Sequence, residues 1–200
     1  MRPSLGSPPF ARFGGAAAIA AAILGFAYSI AFVVVREPLV YSLLLLAGAL
    51  ATSAAVIAFA DRVRAVDPGF ATWGMVLGLG GTLGAGIHGA YDLANAIHPV
   101  AGGPTDLPSA VDPRGFLTFG IAGVGLLVLA WLASRDSTFP RSLGWLGLAT
   151  GALLVAVYLA RLIVLDSSSP LVLGPAALAG LIAIPAFYVW LGRELLRDSR

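Results

Sequence analysis

Long apolar runs alternate with short polar breaks along this chain, and the breaks divide it into six pieces. The pieces lie near Gly14–Val35, Leu39–Ala60, Phe70–Ile97, Phe116–Ser134, Leu143–Leu165 and Leu171–Leu191. Each comes close to the ~20 helical residues needed to cross a ~30 Å hydrocarbon layer. The pattern predicts an all-α fold: an integral membrane six-helix bundle forming a single domain over residues 1–200. Only "REP" separates the first two pieces, which predicts a tight antiparallel hairpin. The one long break, "HPVAGGPTDLPSAVDPRG", carries prolines and glycines that a continuing helix does not accept.

Several breaks carry the chemistry of a helix start. "VDPGF" at 66–70 and "VDPRGF" at 111–116 place Asp then Pro at an entrance, and Ser169–Pro170 repeats the device. The acid or hydroxyl accepts from unpaired backbone N–H groups, and proline suits the first helical position. The paired VDP stretches fit convergent capping better than an internal duplication. Pro185, inside the last piece, predicts a kink.

Within the pieces, small and polar residues follow a helical seam. Gly74, Gly78, Gly81, Ala85, His88, Asp92 and Asn95 are spaced alternately four and three apart. That period keeps them on one face of a helix packed in a left-handed bundle. Gly144, Gly147, Gly151, Leu154, Tyr158 and Arg161 do the same in the fifth piece, and Gly14, Ala18, Ala21, Gly25, Tyr28 and Phe32 in the first. In each, small residues lead and larger or polar ones follow. Glycine and alanine let backbones approach closely where lipid supplies no hydrophobic drive.

Composition then narrows the class. Hydrophobic residues make up 58% of the 200, charged residues 11%, and mean hydropathy is +0.92. With no cysteine, disulfides, thiolate metal sites and dithiol redox chemistry are excluded. All 12 basic residues are arginines, so a lysine Schiff base and a phosphate-binding P-loop are excluded as well. The pI near 9.4 does not signal nucleic acid, because the arginines fall between apolar blocks. Arg2, Arg12, Arg62, Arg64, Arg135, Arg141, Arg193, Arg197 and Arg200 gather on one side, and only Arg36 and Arg114 on the other. By the positive-inside rule both termini are cytoplasmic and the long loop is outside. The first apolar run is too long for a typical signal-peptide core, so the helix is expected to be retained.

Asp92 is the only acid well inside a piece, and Arg161 the only comparable base. Each lies roughly 6–8 Å below the outer boundary at ~1.5 Å per residue. A charge at the bilayer centre costs on the order of 3 kcal/mol, so such residues seek partners. Matching depth and opposite sign predict an Asp92–Arg161 ion pair. The surrounding polar cavity is expected to be lined by Tyr28, His88, Tyr91, Asp92, Asn95, Tyr158 and Arg161. His88, one turn from Asp92, is either a proton-handling group or a buried histidine satisfied by its neighbour.

Other chemistry finds little support. The two histidines, His88 and His98, are about 15 Å apart along one helix, so neither a metal site nor a haem clamp is expected, and no cofactor is. Neither a nucleophile elbow nor an HExxH motif is present, and no enzymatic activity is expected. The glycine-rich "GLGLGGTLGAG" at 76–86 follows no strand and reads as helix packing. Tyr28, Tyr41, Trp73, Trp131, Tyr188 and Trp190 mostly suit interfacial belts.

The stretch "STFPRSLGWLGLATGALLVAVYLARLI" at 137–163 resembles the DUF4386 family of bacterial multi-pass membrane proteins. Pro140, Arg141, Leu143 and Gly144 match that family's entrance to a late helix, and "FYVWLGRELL" is similar to its closing helix. The resemblance covers about the last third of the chain. It implies a multi-helix protein of the bacterial cytoplasmic membrane and carries no activity with it.

The leading expectation is a membrane protein that binds or transports a small-molecule ligand through a polar cavity open to the outer face. A second is the substrate-binding subunit of a vitamin-type importer, with "AAAIAAAI" at 16–23 as its contact face. A third is a structural or assembly partner, in which the polar seam only specifies the bundle. The lipid bilayer is the one partner all three share, nucleic acid is a partner of none, and the sequence does not fix an oligomeric state.

Overall fold

The computed structural model describes residues 8–99, 115–164 and 169–198. The Asp112–Pro113 cap, most of the long loop, and Arg2, Arg114 and Arg200 lie outside these residues. Among the described residues six helices are long and apolar enough to cross a membrane: α1 (Pro9–Val35), α2 (Pro38–Val63), α3 (Pro68–Ile97), α4 (Phe116–Arg135), α5 (Arg141–Val164) and α6 (Pro170–Arg197). The predicted pieces overlap these spans, but α1 begins five residues before Gly14, the expected end at Leu165 lies outside the described residues, and α6 continues past Leu191. Leu195 is buried in that extra turn and holds it to the bundle.

Local chemistry sets the ends. Asp67 accepts from the Phe70 N–H at 3.0 Å and Ser169 from the Leu171 N–H at 3.4 Å, each with proline at the next position. The α1–α2 hairpin turns on Arg36, which has φ 58°, a left-handed conformation usually left to glycine. Its N–H reaches the Ala31 carbonyl at 2.7 Å and closes the last turn of α1. In the α4–α5 connection, the Asp136 carboxylate accepts from both the N–H and the hydroxyl of Thr138.

The helices form a closed ring in which each packs on its sequence neighbours and the last packs on the first. We call the end where α1 starts and α6 finishes the proximal end, and the opposite end distal. Close approach at glycine defines most of the seams. A Cβ on Gly125 of α4 would stand 2.6 Å from the Gly78 N of α3, and one on Gly151 of α5 would stand 2.9 Å from the Gly123 carbonyl of α4. Gly15 of α1 meets the Gly192 carbonyl of α6, which closes the ring, and Gly180 of α6 meets Ser29 farther along the same pair.

Large buried side chains concentrate toward the proximal end. Phe59, Val63, Leu129, Leu132, Leu143, Phe187 and Leu191 are almost fully enclosed. Phe139, from the α4–α5 connection, inserts edge-on against Phe59 with ring centroids 5.8 Å apart. Around this plug runs an arginine–aromatic belt, with Arg135 over the Trp131 ring at 4.1 Å and Phe70 against Trp131 at 5.3 Å.

Helical regularity fails farther toward the distal end. Wider π turns occupy Ala31–Val35 at the end of α1, Phe116–Ile121 at the start of α4 and Ala179–Ala183 within α6. The last lies immediately before Pro185, which has no N–H to donate to the preceding turn. The irregularity expected at Pro185 therefore takes the form of a π turn.

Candidate functional site

The seam of α3 forms as its spacing requires: Gly74, Gly78 and Gly81 are buried, and Ala85, His88, Asp92 and Asn95 are half-buried, none facing outward. On α5, Gly144, Gly147, Gly151 and Leu154 are buried, with Tyr158 and Arg161 half-buried beyond them. On α1, Gly14, Ala18 and Ala21 are buried, and Gly25 and Tyr28 are half-buried, with open space beside Gly25. Phe32 then turns to the surface, 52% exposed, in the π turn that rotates the last residues of α1 out of register.

Two expectations about individual residues need correction. Tyr91 is 38% exposed and lies on the outer surface of α3, because one residue along a helix is a rotation of ~100° away from the face holding His88 and Asp92. The predicted Asp92–Arg161 ion pair is not formed within 4 Å. The Asp92 Oδ2 instead lies 3.4 Å from the His88 Nε2, one turn back on its own helix. Residues one turn apart on a helix face each other, which brings the imidazole to the carboxylate.

Asp92 and Arg161 nonetheless share a neighbourhood. Tyr28 of α1 lies within electrostatic reach of both, and of Tyr41 on α2. Asp92 and Glu37 also act on Tyr41. Four helices thus contribute to one polar region: Tyr28 from α1, Tyr41 from α2, His88 and Asp92 from α3, and Arg161 from α5. The Arg161 Nη1 lies 4.0 Å from the place a Cβ would take on Gly115, beside the entrance to α4. Tyr158 packs its ring edge on Gly120 and lies 5.4 Å from the Phe116 ring, so it supports the π turn of α4. An aromatic run adjoins Tyr28, with Phe32 stacked on it at 5.7 Å and Tyr41 edge-on to Phe32 at 5.3 Å.

Tyr41 entered the sequence reading only as a belt residue. Its place beside Asp92 follows from the α1–α2 hairpin and has no signature along the chain. Tyr188 also departs from the belt expectation. With Thr52, Thr82 and nine other residues it lines a small cavity of about 50 Å³ at the middle of the bundle. The two threonine hydroxyls donate to the Gly48 and Leu79 carbonyls of their own helices.

Chemically, the distal region offers a carboxylate steadied by an imidazole, a guanidinium on a different helix, and a phenol near both. Among the described residues no group of three His, Asp or Glu side chains could hold a metal ion. No protein-family model matches the chain, and no curated protein or solved structure gives a match, so the site is read from its own geometry.

Proposed function

We propose that the chain is a multi-pass protein of the bacterial cytoplasmic membrane that binds or transports a small solute at its distal end. In this reading the distal end faces outward and both termini are cytoplasmic, following the arginine distribution. The likeness of its last third to DUF4386 proteins belongs to the same proposal. At that entrance, Pro140 precedes the first residue of α5, Leu143 and Gly144 are buried and pack in the bundle, and Arg141 is exposed.

One observation supports the site most directly: an acid on α3, Asp92, and a base on α5, Arg161, both act electrostatically on Tyr28 of α1. Opposite charges on different helices beside a shared phenol suit a solute carrying both signs, such as an amino acid or a betaine. Asp92 with the adjoining aromatic rings would take the cationic end, and Arg161 the carboxylate, for which its planar fork is well shaped. For the importer-subunit reading, Ala17, Ala18, Ala21 and Ala22 are taken up by packing inside the bundle, and the outer part of the 16–23 stretch that a partner could meet is Ala16, Ala20 and Ile23.

The test is a thermal-shift titration of the purified protein with glycine betaine and alanine, against acetate and tetramethylammonium. The zwitterions should raise the melting temperature of the wild type, and should fail to do so for Asp92→Asn and Arg161→Gln. Equal responses from wild type and both variants would refute the assignment.

A further inference from the structure

Another concavity lies far from Asp92 and plays no part in the reading above. It is an open groove of about 520 Å³ along the outer face of α6, lined by Pro185, Ala186, Val189, Trp190, Arg193, Glu194 and Arg197. The opposite face of the same helix is occupied by the bundle, with Phe187, Leu191, Gly192 and Leu195 buried. All seven described lining residues come from one helix, as a single stripe that runs from Pro185 to Arg197.

The groove has a chemical gradient along its length. Pro185, Ala186 and Val189 are apolar, with Val189 38% exposed. Trp190 follows, and its indole N–H donates to the Glu194 Oε1 at 3.2 Å, which fixes the ring at the middle of the groove. Arg193 and Arg197 stand one turn apart at the proximal end, both exposed, with the Arg197 side chain 74% accessible. Glu194 is turned inward and also meets the Arg197 Nη1 at 3.4 Å. It offsets one of the two positive charges and leaves the face net cationic. From Pro185 to Arg197 the helix rises about 18 Å, close to the ~15 Å depth of a single hydrocarbon leaflet.

We infer that this groove is a binding site for an anionic phospholipid of the leaflet that the proximal end faces, with the phosphate on Arg193 and Arg197 and an acyl chain along Val189, Ala186 and Pro185. Apolar wall, interfacial tryptophan and paired guanidiniums follow one another in the order of a phospholipid's own parts. Arg binds phosphate through a fork of N–H donors. A free phosphate ion would use only the arginine end and leave the apolar wall unoccupied. A second copy of the chain meeting this face about a two-fold axis would bring like charges together. The inference is independent of the solute site and of which way the protein is oriented.

Native mass spectrometry of the full chain, released from nanodiscs of phosphatidylglycerol and phosphatidylcholine in equal amounts, tests it. Phosphatidylglycerol should be retained preferentially, and Arg193→Gln/Arg197→Gln should lower that retention roughly tenfold. Val189→Trp, which blocks the groove without changing charge, should lower it too. Arg141→Gln, an exposed arginine elsewhere at the proximal end, should not. Equal retention of the two lipids overturns the proposal, as does unchanged retention in the double variant. Displacement of the lipid by millimolar inorganic phosphate would assign the arginines to a free anion and overturn it as well.

Discussion

Around Phe59 the helices meet through large enclosed side chains and glycines set backbone to backbone, in regular α-helix. Around Asp92 the same helices carry half-buried polar groups, and two of the three π turns lie at the distal ends of α1 and α4. Both regions belong to one ring with the same neighbours. They differ in what each contact leaves over. In bilayers, association rests on close packing, and a polar contact between helices contributes only about 0.6 kcal/mol on average. The proximal half therefore supplies the rigidity, and the distal half can hold charge and irregular backbone without carrying the fold. Widened turns are frequent where proteins bind ligands, and here they cluster beside the mixed-charge region.

The most severe way to break this contrast is at the proximal plug. Phe59→Ala removes a side chain packed against both Phe139 and Phe187, and should cost about 3–5 kcal/mol. Unfolding in a calibrated detergent-denaturant series would show it. Gly125→Ala comes next. Its new methyl would meet the Gly78 backbone, which has no flexible end to move aside, for a loss of about 1–3 kcal/mol in the same series. Gly25→Ala is the distal counterpart: nothing lies within 4 Å of its Cβ position, so better helix propensity should yield a gain of about 0.5–1 kcal/mol. Smallest in stability is Asp92→Asn, expected to shift unfolding by about 0.6 kcal/mol while abolishing the betaine-dependent rise in melting temperature. A stability loss at Asp92 as large as that at Gly125 would erase the distinction between the halves.

Much of the architecture is legible along the chain, because a membrane span has to be apolar over its whole length and its seams have to be small. Gly74, Gly78 and Gly81 announce the buried stripe of α3, and Asp67–Pro68 marks where that helix begins. Azimuth between helices is less legible. Depth can be counted from a helix end, which placed Asp92 and Arg161 at one level, but counting does not say which neighbour each side chain turns to. His88, one turn away on the same helix, meets Asp92 at 3.4 Å. Tyr91 and Tyr188 were misplaced for a related reason: a tyrosine near a membrane boundary suits either a belt or an interior, and packing decides. The contact of Gly15 with Gly192 joins residues from opposite ends of the chain, and no local pattern reports it.

That junction has a consequence for biogenesis. Helices leave the insertion machinery in order, and five of the six seams join consecutive spans, so each can form as soon as its second member emerges. The face of α1 bearing Gly15 must wait for Gly192, which is made after the five other spans. Until then the nascent protein is an open arc, with a small-residue edge turned to lipid at each end. The final span acts as the clasp, and truncations that remove it should leave chains that insert but are cleared by quality-control proteases.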